Sequence, residues 1–200
     1  MKTVIYDIEI EKAILGKDET RIKGIEYCDG FRDFENMGVS VIGACEYETG
    51  RYRVFCKDNF DEFQKLVNDA DFVVDFNGVQ FDAPALAAVG ITIPAEKQYD
   101  ILREIWEAEG HDPDVFTKET HLGYGLDACC VANFGAKKTG NGAMAPVFWQ
   151  NGEIGTVIDY CLNDVKLTER LFGLIDGEGC IVSPKDPDKT IQLLSPRSPF

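Results

Sequence analysis

The chain opens on the run TVIYDIEI, Thr3 to Ile10, whose strand alternation puts Val4, Tyr6, Ile8 and Ile10 on one face and Thr3, Ile5, Asp7 and Glu9 on the other. A polar stretch with no period of its own follows, Glu11 to Met37, long for a connection inside a compact domain. The segment GVSVIGACEYETGRYRVFCKD then predicts two strands joined at Glu48-Thr49-Gly50-Arg51, with glycine supplying the turn. After Asp58 and Asn59, candidate N-caps, the residues Phe60, Phe63, Leu66, Val67 and Ala70 recur at helical spacing. DFVVDF reads as a short strand buried on both faces. A helix from Asp82 to Val89 is marked by Pro84 near its start and Gly90 at its end.

Three more helices follow. YDILREIWEAEG turns Leu102, Ile105 and Trp106 inward, and YGLDACCVANFG turns Leu126, Cys130, Val131 and Phe134 inward. The last runs from about Ile154 to Leu174, with Ile154, Val157, Ile158, Cys161, Val165 and Thr168 along one side. The tail SPKDPDKTIQLLSPRSPF holds four of the 8 prolines, which predicts an extended or loosely attached segment. The expected organisation is one α/β or α+β domain over residues 1–178 and a proline-rich tail over 179–200.

Composition narrows the class. With 200 residues, 44% hydrophobic and 28% charged, the sequence suits a single globular domain, and no apolar run approaches the ~20 residues of a membrane helix. The N-terminus lacks the layout of a secretory signal, and the 7 cysteines show no C-x-x-C or zinc-site spacing, so a cytoplasmic protein with reduced thiols is expected. A net charge of −15 argues against a broad basic surface for duplex nucleic acid, but not against a strand end held locally by metal ions.

Three places concentrate candidate chemistry. Asp7 and Glu9 share a strand face, where two acids repel unless a cation compensates; a strand end reaching into water is the ordinary alternative. In FNGVQFDAPAL, Asn77 and Gly78 turn the chain after a buried strand and Asp82 opens the next helix, either as a cap or at a site of the kind that gathers at strand ends. In YCLNDVKLT, Tyr160 and Asp164 stand one helical turn apart, as a surface pair or as part of a site.

Taken together, Asp7, Glu9, Asp82, Tyr160 and Asp164 resemble the catalytic set of the DEDD 3′-to-5′ exonucleases in the tyrosine-bearing branch. The order D-I-E, N-x-x-x-F-D and Y-C-x-x-D-V is most similar to the proofreading exonuclease domain of family-B DNA polymerases. YGLDACC is similar to a Y-S-L-x-x-V segment of those domains, and the likeness spans Thr3 to about Leu174. Three features depart from the pattern. Ile10 stands where many relatives carry threonine, Phe76 stands where some carry histidine, and no polymerase domain follows, as in free-standing bacterial and phage exonucleases.

The resemblance implies a ribonuclease H-like fold: a central mixed β-sheet, three antiparallel strands then parallel strands, flanked by α-helices. It implies two Mg²⁺ or Mn²⁺ ions held by Asp7, Glu9, Asp82 and Asp164, with Tyr160 orienting the attacking water. The expected activity is metal-dependent hydrolysis at the 3′ end of single-stranded DNA, with a replication or repair protein as a further partner and no membrane role. Single-stranded RNA remains an alternative substrate, and a non-catalytic acidic binding module an alternative class. Asn77 and Phe81 are candidate substrate contacts, or a turn amide and a core aromatic. Lys137 and Lys138 lie in an acid-free stretch, Val131 to Gly152, that either guides a strand or is a plain loop with Phe148 and Trp149 pinned to the core. The stretch from Glu11 to Met37 is expected to line the site or a partner surface, and Pro199-Phe200 forms an apolar tip.

Overall fold

The computed structural model describes residues 1–136 and 142–198. Strand β1 (Thr3–Ile10) is the middle of a five-stranded sheet and is buried along its length except at Asp7. Between β1 and the next sheet strand, residues 11–37 form β2 (Ala13–Ile14), β3 (Tyr27–Cys28) and a single helical turn, α1 (Phe34–Met37). These pieces are too short to carry a hydrophobic period, so the pattern missed them. The Gln150 side chain stitches the segment to the domain, accepting from the Glu26 amide at 2.7 Å and donating to the Glu11 carbonyl at 2.9 Å.

Strand β4 (Val39–Glu46) runs antiparallel to β1, with Asp7 opposite Gly43 and Glu9 opposite Val41. The register shifts between Glu9 and Ile10, where the Ser40 hydroxyl donates to the Ile10 carbonyl at 3.2 Å. Such irregularities re-aim side chains beside sites. Gly50, at φ 63°, turns the chain into β5 (Arg51–Phe55). Helix α2 (Phe60–Asp69) follows Asn59, whose side chain accepts from the Cys56 amide at 2.7 Å instead of capping the helix. Then come β6 (Phe72–Asp75), parallel to β1, and α3 (Asp82–Ala88).

Residues 99 and 100, expected as the start of a helix, belong instead to β7 (Gln98–Asp100), parallel to β6. Asp100 is the reason for the break: its carboxylate accepts from the Leu102 and Arg103 amides and caps α4 (Ile101–Ala108). The sheet order is β5-β4-β1-β6-β7, the mixed α/β sheet expected from the sequence.

Helices α5 (Lys118–His121), α6 (Leu126–Phe134), α7 (Ala145–Gln150) and α8 (Ile154–Glu178) complete the α-helices among the described residues. On one sheet face Ile5 and Val74 join a core with Ile105, Cys130, Leu171 and Phe172; on the other, Tyr6 and Val73 join Met37, Phe63 and Leu86. Two residues expected inward are exposed. In α6 the buried residues are Leu126, Cys129 and Cys130, so Val131 falls on the outer side, and Ile154 is the first residue of α8.

The tail, expected to be extended or loose, is a hairpin of β8 (Cys180–Ser183) and β9 (Asp186–Gln192). Ile181, Ile191 and Leu193 are buried in the α8-side core, so the apolar residues between the prolines outweigh the prolines themselves. Both Asn133 side-chain atoms bond the Val182 backbone, tying the hairpin to α6. Among the described residues no helix is long and apolar enough to cross a membrane. Lys137, Lys138, Pro199 and Phe200 lie outside the described residues.

Candidate active site

The carboxyl ends of the parallel strands β1 and β6 point toward one edge of the sheet, where sites in α/β folds gather. Strand alternation aims Asp7 and Glu9 to the side covered by α8, and α8 brings Asp164 down beside them. One oxygen from each of Asp7, Glu9 and Asp164 lies within 4.8 Å of the other two. Asp164 is only 2% exposed, which excludes the solvated surface pair, and Glu9 is 7% exposed, which excludes an acidic strand end in water.

Close approach of α8 depends on Gly43. A methyl group there would stand 3.0 Å from Cys161 Sγ and 3.1 Å from Val165 Cγ2. The Cys161 thiol donates to the Asp7 carbonyl at 3.3 Å, joining the helix to the strand that carries the acids.

Asp82 is placed differently. It is the first residue of α3 but makes no cap; its carboxylate accepts from the Ile8 amide. That amide is available because β6 pairs with β1 only as far as Ile5. Asp82 lies outside the tight trio but lines the same cavity of about 300 Å³. Burial, then the charge of Asp7, pushes its carboxyl well above the ordinary range. Asn77, Phe81 and Tyr160 line this cavity too, together with an apolar wall that includes Ile8, Ile10 and Ile14. Gly142 abuts Tyr160, since a methyl group there would lie 3.1 Å from the phenol oxygen.

A second tier of residues holds the loop between β6 and α3, and sequence reasoning missed it. Asp100 accepts from the Asn77 amide at 2.8 Å and the Val79 amide at 3.2 Å, besides capping α4. Asp75 accepts from the Gly78 amide at 3.0 Å and from Gln98 at 2.6 Å. Together they hold Asn77 in the left-handed region, at φ 70°, which turns Phe81 and Asp82 toward the cavity. Both acids are buried, and burial raises both carboxyls above the usual range; at Asp75 the Asp100 charge adds to it. The signal for Asp100 was present in the sequence: an aspartate directly before a helical period is a cap.

Phe31 also lines the cavity, from the stretch expected to border the site or a partner. Phe148 and Trp149 pack beside Val41, Val157 and Cys161 as part of α7, the pinned alternative of the two. A larger cavity of about 530 Å³ lies at the other end of β1, among Lys2, Thr3, Arg53 and Lys65, and shares no residue with this one.

The donor set suits a hard cation. Its three converging atoms are carboxylate oxygens, the ligand type that such ions prefer.

No protein-family model matches the chain, and no curated protein does. Among solved structures, the family B DNA polymerase from the hyperthermophilic archaeon Pyrobaculum calidifontis matches with TM-score 0.60 at 16% identity. The match covers 87% of this chain and 24% of the polymerase chain, so this chain spans about a quarter of that protein's length. At this identity the likeness is one of fold: a ribonuclease H-like mixed sheet flanked by helices.

Proposed function

We propose that the chain is a metal-dependent 3′-to-5′ exonuclease acting on single-stranded DNA. The observation that carries this reading is the convergence of Asp7, Glu9 and Asp164, from elements far apart in sequence, in a cavity that Asp82 and Tyr160 also line. Asp7, Glu9 and Asp164 would hold Mg²⁺ or Mn²⁺, with Asp82 serving a second ion. When bound, such a pair supplies an activated water and neutralises charge on a phosphodiester.

The protein's own groups do the rest. Tyr160, which lines the cavity, would orient the attacking water as a hydrogen-bond partner. The apolar wall of Ile8, Ile10, Ile14 and Phe81 packs the terminal nucleoside, and Asn77 offers it a polar contact. The likeness in fold to a DNA polymerase supports DNA over RNA.

Matched DNA and RNA oligonucleotides, labelled at the 5′ end and incubated with Mg²⁺ or Mn²⁺, test the reading. Stepwise shortening of the DNA from its 3′ end is expected. Asp7→Ala should reduce it by about 10²-fold or more, at least the loss typical of disturbing a metal's outer partners, while circular dichroism stays native. Shortening of RNA alone would move the assignment to an exoribonuclease, and no shortening of either would leave the acidic binding module.

A further inference from the structure

Phe31 is 71% exposed, more than any other large hydrophobic residue among those described, yet it stands at the mouth of the acidic cavity. A second hollow of about 360 Å³ continues from that cavity, and the two share Phe31, Asn77 and Phe81. Its remaining lining is Arg32, Phe34 and Gln80. The Phe81 ring meets Phe31 at 6.4 Å and Phe34 at 6.2 Å, both edge-on, so the exposed face of Phe31 is backed by a fixed aromatic pair.

The turn that presents Phe31 is braced. Asp33 accepts from the Asp29 amide at 2.8 Å and from the Asn36 side chain at 2.6 Å, and α1 directly after it packs on α3. Exposing a phenylalanine on a braced turn gives no stability to the folded chain. A planar, apolar ligand would recover that surface, and the neighbouring guanidinium of Arg32 adds a positive charge where the cavity itself is acidic.

We propose that Phe31 and Arg32 form a second nucleotide subsite: the base next to the terminal one stacks on Phe31, and Arg32 contacts its phosphate. This rests on the reading of the chain as a nuclease acting on single strands. It gives residues 11–37 a specific role, holding a strand in register for the carboxylates. Stacking and a single phosphate contact tolerate any base, so the subsite selects for an unpaired strand and not for a sequence.

The test separates binding from cleavage. Oligonucleotides with 2-aminopurine at the next-to-last or a distant position are titrated with protein in EDTA. Quenching at the next-to-last position alone is expected. Phe31→Ala should abolish it and weaken binding about 5- to 150-fold, the equivalent of roughly 1–3 kcal/mol of stacking, while Phe31→Trp restores both. Arg32→Ala should lower the slope of log affinity against log salt by about 0.7. With Mg²⁺ or Mn²⁺, KM should fall when a dinucleotide, which has the next-to-last base but no phosphate before it, is lengthened to a trinucleotide, and Arg32→Ala should remove that gain. Equal quenching at both positions, no binding, or a gain retained in Arg32→Ala overturns the subsite. Stacking in EDTA without cleavage in metal leaves the subsite standing and overturns the nuclease reading.

Discussion

The site depends on single atoms that neither composition nor period brings to notice. Gly142 leaves just enough room for the Tyr160 phenol, 3.1 Å from where a methyl group would sit. Gly142→Ala should therefore displace the phenol and lower kcat by roughly 10- to 100-fold, as should Tyr160→Phe, with unfolding by heat little changed; a native rate in Gly142→Ala contradicts that placement. Asp75 carries a second residue-scale prediction. Burial, then Asp100, holds its carboxyl well above the ordinary range, so the folded protein keeps this proton at pH values where the unfolded chain has lost it. Its contribution to stability therefore falls as pH rises from the ordinary carboxylate pKa of about 3.9 through the raised folded value. Urea unfolding of the metal-free protein between about pH 5 and pH 8 should show that fall, and Asp75→Asn, which does not titrate, should flatten it. Identical slopes would mean that Asp75 is ionised in the folded protein.

Among the elements, α8 matters most, because it alone crosses from the core to the acids. Its sequence announced both tasks: an apolar stripe through Val157, Cys161 and Val165, and Tyr160 and Asp164 one turn apart beside it. How far the helix descends was not legible there, since that distance is set by Gly43 on a different element. Gly43→Ala should lift α8, cost about 1–3 kcal/mol by overpacking, and weaken metal binding measured by calorimetry, whereas Gly142→Ala affects the rate. Normal metal affinity in Gly43→Ala would mean that Asp164 does not depend on this contact. Strand β7 makes the complementary point: three residues cannot display a period, so only the cap at Asp100 betrayed where strand gave way to helix.

At the scale of the whole molecule, the domain is closed by a segment that its prolines disguised. Ile191 is 2% exposed in the tail hairpin, against the same core as Phe172, so Ile191→Ala should destabilise the protein by about 2–5 kcal/mol in urea unfolding. A loosely attached tail would give a change near zero. Sequence alone determined the strand-hairpin-helix-strand order, because alternation and helical spacing are local, while the resemblance carried by its three motifs implied the mixed sheet and singled out the five candidate residues. Only the tertiary structure decided that Asp7, Glu9 and Asp164 meet while Asp82 stands apart on an amide of β1, that Asp75 and Asp100 hold the loop, and that Phe31 reaches the cavity mouth. Those facts are distances between segments remote in sequence, fixed by packing at close contact, and no local pattern encodes them.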